Sequence, residues 1–309
     1  PPPPTAMDGS VIGIMLACLS ASMNAGGINL QRLGKRTGSA ATSLVGVIMA
    51  VSCGGVDMLS FQFAAQSLLA PFASLGLLVN LVLARLMHGD VITNMDLVST
   101  GLVVAGVVVC LLNSPQESPL RTPSELAALA LDAGFLAWAS LVLVVLGLAA
   151  FTARQSGSRS RQKIVQVSTA VVPGILGGGT VLSAKILTEC GRAGAPNAVL
   201  GAVAGLAGLC GVGQTVALNL AVGKYSSLLV VPIFSATSLA TNASGGGLFF
   251  QEFASFSYAQ GGAYLCGVLV LLTGVLLLAA KGEDGKSRSA TPSATPTRQQ
   301  PPRASKKAT

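Results

Sequence analysis

Asp57 is the residue in this sequence with the clearest chemical potential, because it sits in an apolar run between Cys53-Gly54-Gly55-Val56 and Met58-Leu59-Ser60-Phe61. A carboxylate at mid-bilayer costs about 2.5 to 3.5 kcal/mol on insertion scales, so its presence marks an ion pathway or a helix-to-helix hydrogen bond. Neutral oxygen donors recur in other apolar runs: Asn24, Asn29, Asn80, Gln214, Asn219 and Asn242. Their amides either ligate a hard cation or join helices. Asp57, Asn80, Gln214 and Asn219 are the candidates for an ion path, and Asp57 is the candidate metal ligand. Other chemistry finds little material. One histidine, His88, and six scattered cysteines without a CxxC pair make neither a zinc site nor a nucleophile with its base. Gly223-Lys224-Tyr225 and Gly285-Lys286-Ser287 lack the earlier glycine of a phosphate loop. No catalytic residue, enzyme activity or cofactor is therefore expected.

Such groups must be carried by elements that tolerate lipid. Of the 309 residues 51% are hydrophobic and only 10% charged, against roughly 25% charged in a soluble domain. Runs such as Leu97 to Leu112 and Gly261 to Ala280 hold no ionisable side chain and show no polar face. A span needs about 20 apolar residues, which predicts an all-α integral membrane protein with nine transmembrane helices. They cover Val11 to Leu30, Ala41 to Ala65, Ser67 to Met87, Met95 to Asn113, Leu126 to Phe151, Ile164 to Leu187, Ala198 to Val222, Ser226 to Phe250 and Ala259 to Ala280. In the fifth, the membrane part can begin at Ala133, with Asp132 at the interface. Residues 1–10 read as an extracytoplasmic segment whose start is missing, since the chain opens on Pro1 to Pro4, and no cleavable signal peptide is expected. Residues 281–309 are rich in Lys, Arg, Ser, Thr and Pro and read as a disordered cytoplasmic tail.

With the amino terminus outside, all but Arg121, Lys185 and Arg192 of the 19 basic residues fall on the cytoplasmic side. That asymmetry sets the orientation. It also accounts for the net charge of +8 better than nucleic-acid binding does, because no folded basic face gathers these residues. Lys185 and Glu252 read as boundary charges, with the lysine snorkelling to the headgroups.

The third and eighth spans share a pattern. Ser67-Leu68-Leu69-Ala70-Pro71-Phe72-Ala73-Ser74 recurs approximately as Ser227-Leu228-Leu229-Val230-Val231-Pro232-Ile233-Phe234-Ser235, and an acid follows each proline at similar distance, Asp90 and Glu252. Pro71 and Pro232 are expected to punctuate their helices. The repeat divides a transporter domain over 11–280 into repeat one (11–114), a linker helix (126–151) and repeat two (164–280). Starting five crossings apart, the two four-helix repeats are inverted in the membrane, as in secondary transporters with a substrate path between halves. Of the 37 glycines, those at Gly177 to Gly179 and Gly245 to Gly247 either pack closely or loosen a helix, and Gly201-Ala-Val-Ala-Gly205 is a GxxxG surface. The sequon Asn242-Ala-Ser244 lies inside a span, out of reach of glycosylation.

Colinear motifs carry a family resemblance over nearly all nine spans. Gly54 to Leu77 looks like the family's acid-containing, Gly-rich segment leading into Phe/Ala-rich sequence and a Thr-Pro-Leu-Gly-Ala-Leu-Ser motif. Ser114-Pro115-Gln116-Glu117 matches Ala-Pro-Gln-Glu, and Thr180-Val181-Leu182-Ser183-Ala184-Lys185 is similar to Thr-Val-x-Ser-x-Lys. Gln214, Asn219, Pro232-Ile233 and Phe250-Gln251-Glu252-Phe253 fall on further family motifs. On these residues the chain resembles the NIPA-type magnesium transporters, an EamA-like branch of the drug/metabolite transporter superfamily. It departs from them where the family's acid falls on Gly54 and its nearby Asn on Asp57, where Leu220 replaces a Lys, and where Phe234-Ser235 replaces Tyr-Tyr.

The resemblance implies a secondary-type carrier of divalent cations, magnesium first, in a plasma or endosomal-type membrane, with the bilayer and a second copy of the chain as partners. A largely hydrated ion suits one carboxylate among amide and backbone oxygens. The alternatives are a carrier of a small organic solute, such as a metabolite or nucleotide sugar, and a non-transporting packing subunit.

Overall fold

A computed structural model describes residues 6–88, 93–114, 121–155, 162–225 and 227–289. Eleven helices are found there: α1 (Ala6–Thr37), α2 (Ala40–Ser60), α3 (Gln66–Leu69), α4 (Leu75–His88), α5 (Asn94–Asn113), α6 (Pro123–Ala130), α7 (Ala133–Arg154), α8 (Gln162–Arg192), α9 (Asn197–Lys224), α10 (Ser227–Phe249) and α11 (Tyr258–Ser289). Single 3-10 turns cover Ala70–Ser74 and Glu252–Ser255. Among the described residues no strand occurs, and eight stretches are long and apolar enough to cross a membrane. The ninth expected span is α10, a helix of 23 residues that contains Pro232. The protein is an all-α, multi-pass membrane protein.

Capping sets the helix starts. Ser39 Oγ accepts from Thr42 N, and Gly38 before it supplies the positive φ of 71° that the turn from α1 requires. Thr93 with Asp96 and Thr122 with Glu125 form capping boxes. Asp132 Oδ2 accepts from Gly134 N at 2.9 Å and Phe135 N at 3.1 Å. The expected fifth span is consequently two helices, with Asp132 starting its long part α7.

The second and third spans differ most from expectation. Helix α2 ends at Ser60 rather than Ala65, and the third span is broken into α3, a 3-10 turn around Pro71, and α4. Proline has no N–H to donate to the carbonyl four residues back, which is that of Ser67. Tyr264 takes that carbonyl instead, its hydroxyl donating to Ser67 O at 3.0 Å. The broken segment sits at the centre of the core, where Ala64, Leu68, Phe72, Val103, Leu239 and Leu271 pack together. At the far end, α11 runs to Ser289, past the expected start of the tail at 281. No proline occurs before Pro292, and extending an existing helix costs little per residue. Asp90, Pro115-Gln116-Glu117 and residues 290–309 lie outside the described residues.

Glycine faces decide which helices touch. A Cβ on Gly27 would come within 2.6 Å of Gly46 O, which brings α1 against α2. Gly174 and Gly178 of α8 lie against Thr237 and Thr241 of α10. Gly106, Gly267 and Gly274 join α5 to α11. The triple-glycine runs remain helical and serve close packing. The expected GxxxG surface does not: Gly201 and Gly205 have nothing within 4 Å. Gly106→Leu should therefore lower the thermal unfolding midpoint in detergent by overpacking worth about 1–3 kcal/mol, whereas Gly201→Leu should leave it unchanged.

Candidate functional site

Two polar layers lie inside the apolar body. The first is a pocket of about 110 Å³ lined by Ser20 and Asn24 of α1, Cys53, Asp57 and Ser60 of α2, and Asn242 of α10, with Phe61, Leu69, Ala70 and Val181 among its apolar walls. Helical periodicity brings these residues together: Ser20 and Asn24 are one turn apart, as are Cys53 and Asp57, with Ser60 a turn further on. Ser20 Oγ donates to Cys53 O at 3.1 Å, and its side chain also interacts with the Asp57 carboxylate. The pocket thus offers one carboxylate and several neutral oxygens at the junction of α1, α2, α8 and α10.

The other candidates for the ion path lie elsewhere. Asn80 accepts from Asn29 Nδ2 at 2.7 Å and joins α4 to α1. Gln214 accepts from Thr180 Oγ1 at 3.4 Å and joins α9 to α8. Asn219 is exposed on the outside of α9. None of the three lines the pocket. The sequence alone does not single out Ser20 and Ser60, because a serine in a span is common and weakly polar. The stripe Ala17, Ser20, Ala21, Asn24 at helical spacing is the signal that points to Ser20, and the helical spacing of Cys53, Asp57 and Ser60 is the one that points to Ser60.

The second layer is ionic. Helix α3 begins inside the protein, and its N-cap position is Ala65, which has no side chain able to accept a hydrogen bond. The carboxylate of Glu252 serves in its place, Oε1 accepting from Gln66 N at 2.9 Å and Oε2 from Ser67 N at 2.8 Å. The orphan N–H groups and the positive end of the helix dipole favour an anion there. Glu252 reaches this point because Gln251, at φ 52° and ψ 30°, turns the chain in the left-handed conformation just after α10.

Lys185 completes the arrangement. Its Nζ donates to Ala64 O at 2.9 Å, lies 3.7 Å from Glu252 Oε1 and stands 4.9 Å from the centre of the Phe250 ring. The lysine expected to snorkel is fully buried, at 0% exposure, because it finds a carboxylate and a carbonyl within the protein. Glu252 is likewise buried rather than a free boundary charge. Glu189, one turn from Lys185 and also buried, pairs with Arg192 at 3.4 Å. Arg121 Nη2 donates to Phe250 O. Gln66 Nε2 donates to Asn242 Oδ1, so the ionic layer touches the wall of the Asp57 pocket.

The fold and the pocket define a multi-pass helical membrane protein with a polar interior site, and comparison with known sequences specifies which kind. The magnesium transporter NIPA family profile matches residues 10–284. Three Arabidopsis thaliana proteins named as probable magnesium transporters are similar to the chain. NIPA8 is 26% identical over 79% of this chain and 60% of its own length. NIPA2 is 25% identical over 74% of this chain and 69% of its own length. NIPA1 is 23% identical over 78% and 73%. No solved structure matches. The chain belongs to the NIPA magnesium transporter family.

Breaking the buried pair tests its energetic role. Glu252→Gln takes one of the carboxylates away from Lys185 and the anionic cap away from α3, and should cost about 3–5 kcal/mol. The double variant Lys185→Met with Glu252→Gln removes both charges and should recover part of that loss, measured as unfolding midpoints in detergent.

Proposed function

We propose that the chain is a secondary-type carrier of divalent cations, magnesium first, and that the Asp57 pocket is where the ion is held. The observation that carries this reading is one carboxylate facing about 110 Å³ of space among Ser20, Asn24, Ser60 and Asn242. Magnesium sheds its water reluctantly and is commonly held through one or two carboxylates. The space has room for an ion with several waters, at about 30 Å³ of liquid volume per water. One negative charge attracts the ion while leaving it free to depart, which a conducting site requires. Among the described residues, no three His, Cys, Asp or Glu side chains gather into a tighter cage.

Helix pairing supports a path between inverted halves. Helix α1 packs on α2 and α4, α8 packs on α9 and α10, and α5 pairs with α11. These contacts interchange when α1, α2, α4 and α5 are mapped onto α8, α9, α10 and α11. Asp57 belongs to the first half and Asn242 to the second, so the pocket lies between them. The distribution of basic residues supports a cytoplasmic carboxyl terminus, and the family resemblance suggests a plasma or endosomal-type membrane. Magnesium is then a substrate rather than a cofactor, and no catalysis is assigned.

The same geometry weighs against an organic solute. Lys185 is engaged by Glu252 and the Ala64 carbonyl instead of facing a pocket. The 520 Å³ cavity beside Trp138 is almost wholly apolar and has no charged anchor. In proteoliposomes Asp57→Asn should abolish magnesium flux while leaving the yield of folded protein unchanged. Flux at the wild-type rate overturns the assignment.

A further inference from the structure

The hydrogen bonds around α3 share a property beyond capping a helix. Ala64 O, Gln66 N, Ser67 N, Ser67 O and the Gln66 amide are all held by residues more than 100 positions away: Lys185, Glu252, Tyr264 and Asn242. The partners come from α8, α10, α11 and the turn after α10, so one short segment of the first half is tied at five points to the second. The ties gather at one end of the bundle, where α2 ends at Ser60 and α11 begins at Tyr258. The Asp57 pocket lies against the same segment, since Ser60, Phe61, Leu69 and Ala70 line it on either side of residues 64–67. Asn242 belongs to both, as pocket wall and as acceptor from Gln66.

From this juxtaposition we infer that Glu252, Lys185, Tyr264 and Gln66 form a gate that closes the Asp57 pocket toward the Glu252 face of the membrane. The inference deepens the transport reading and rests on it: an ion that uses this pocket enters or leaves on that face only when the ties to α3 part. The closing element suits the task. Helix α3 has four residues and no local cap, so its start is held by the other half of the protein. When the halves separate, the N–H groups of Gln66 and Ser67 and the ammonium of Lys185 face incoming water, which satisfies them in place of the lost partners. The cost of opening is thereby limited, and closing restores charge-assisted hydrogen bonds in a dry site. Glu252, Lys185, Tyr264 and Gln66 are positioning residues: none of them lines the pocket.

Cys53 is a built-in probe, because it lines the pocket. With the other five cysteines replaced by serine, a membrane-impermeant cationic methanethiosulfonate is applied in turn to intact cells and to inside-out vesicles. From the Glu252 face, labelling of Cys53 should be slow in the parent. Tyr264→Phe removes a single hydroxyl and should speed it by about three- to tenfold, the effect of one lost hydrogen bond. Lys185→Met with Glu252→Gln, which removes both charges of the pair, should speed it by more than tenfold. From the opposite face neither variant should raise the rate. Parent-like rates in both variants from the Glu252 face, or equal increases from both faces, overturn the gate. The assay needs no transported ion, so its outcome is separable from the flux test. If Asp57→Asn keeps full flux while the gate variants expose Cys53, the ion assignment fails and the gate stands; the reverse pattern sinks the gate alone.

Discussion

The carboxylate of Glu252 on the first turn of α3 is the interaction on which the centre of this protein depends. A helix that starts within a membrane protein has N–H groups that water does not reach, and lipid offers them no partner. Ala65 has nothing to offer them either. The cap comes from 186 residues away in sequence, delivered by the left-handed turn at Gln251 and balanced by Lys185. A non-glycine residue in that conformation is disfavoured by about 1–3 kcal/mol unless its surroundings hold it. Here the two backbone hydrogen bonds to Glu252 hold it.

The break in the third span follows from the same place. Pro71 cannot donate to Ser67 O, Tyr264 accepts the task of satisfying that carbonyl, and the chain passes through a 3-10 turn before resuming as α4. The displaced segment leaves space beside α1 and α2, and that space is the Asp57 pocket. The polar pocket therefore arises next to an interruption of regular backbone, as expected where non-helical backbone is buried in protein. Glycine permits the surrounding architecture. Without side chains at Gly106, Gly174, Gly178 and Gly274, the helices approach closely enough to seal the interior around a polar centre.

Much of this is legible in the sequence. The apolar runs correspond to membrane-length helices, Asp132 marks the start of α7, and Asp57 stands out against its neighbours. The roles of Lys185 and Glu252 were not legible. Each lies near the end of an apolar run, where a charged residue ordinarily reaches water, and nothing local shows that they meet. The GxxxG run misled for a related reason: small residues permit close approach, but a second helix must be there to approach. Asn80, Gln214 and Asn219 have the chemistry of ion ligands, yet two are used between helices and one faces outward. Family motifs placed Gln214 and Asn219 in their spans without saying which way they point.

By itself the amino-acid sequence determined the solvent, the helical class and the approximate limits of most of the spans. These follow from composition and short-range periodicity, which each segment carries on its own. Tertiary structure alone decided which polar groups meet. The pairing of Lys185 with Glu252, the capping of α3 and the gathering of Ser20, Asp57 and Asn242 all join residues from distant spans. In a low-dielectric interior such pairings decide whether a buried charge is tolerated, and they depend on helix packing that no single segment encodes.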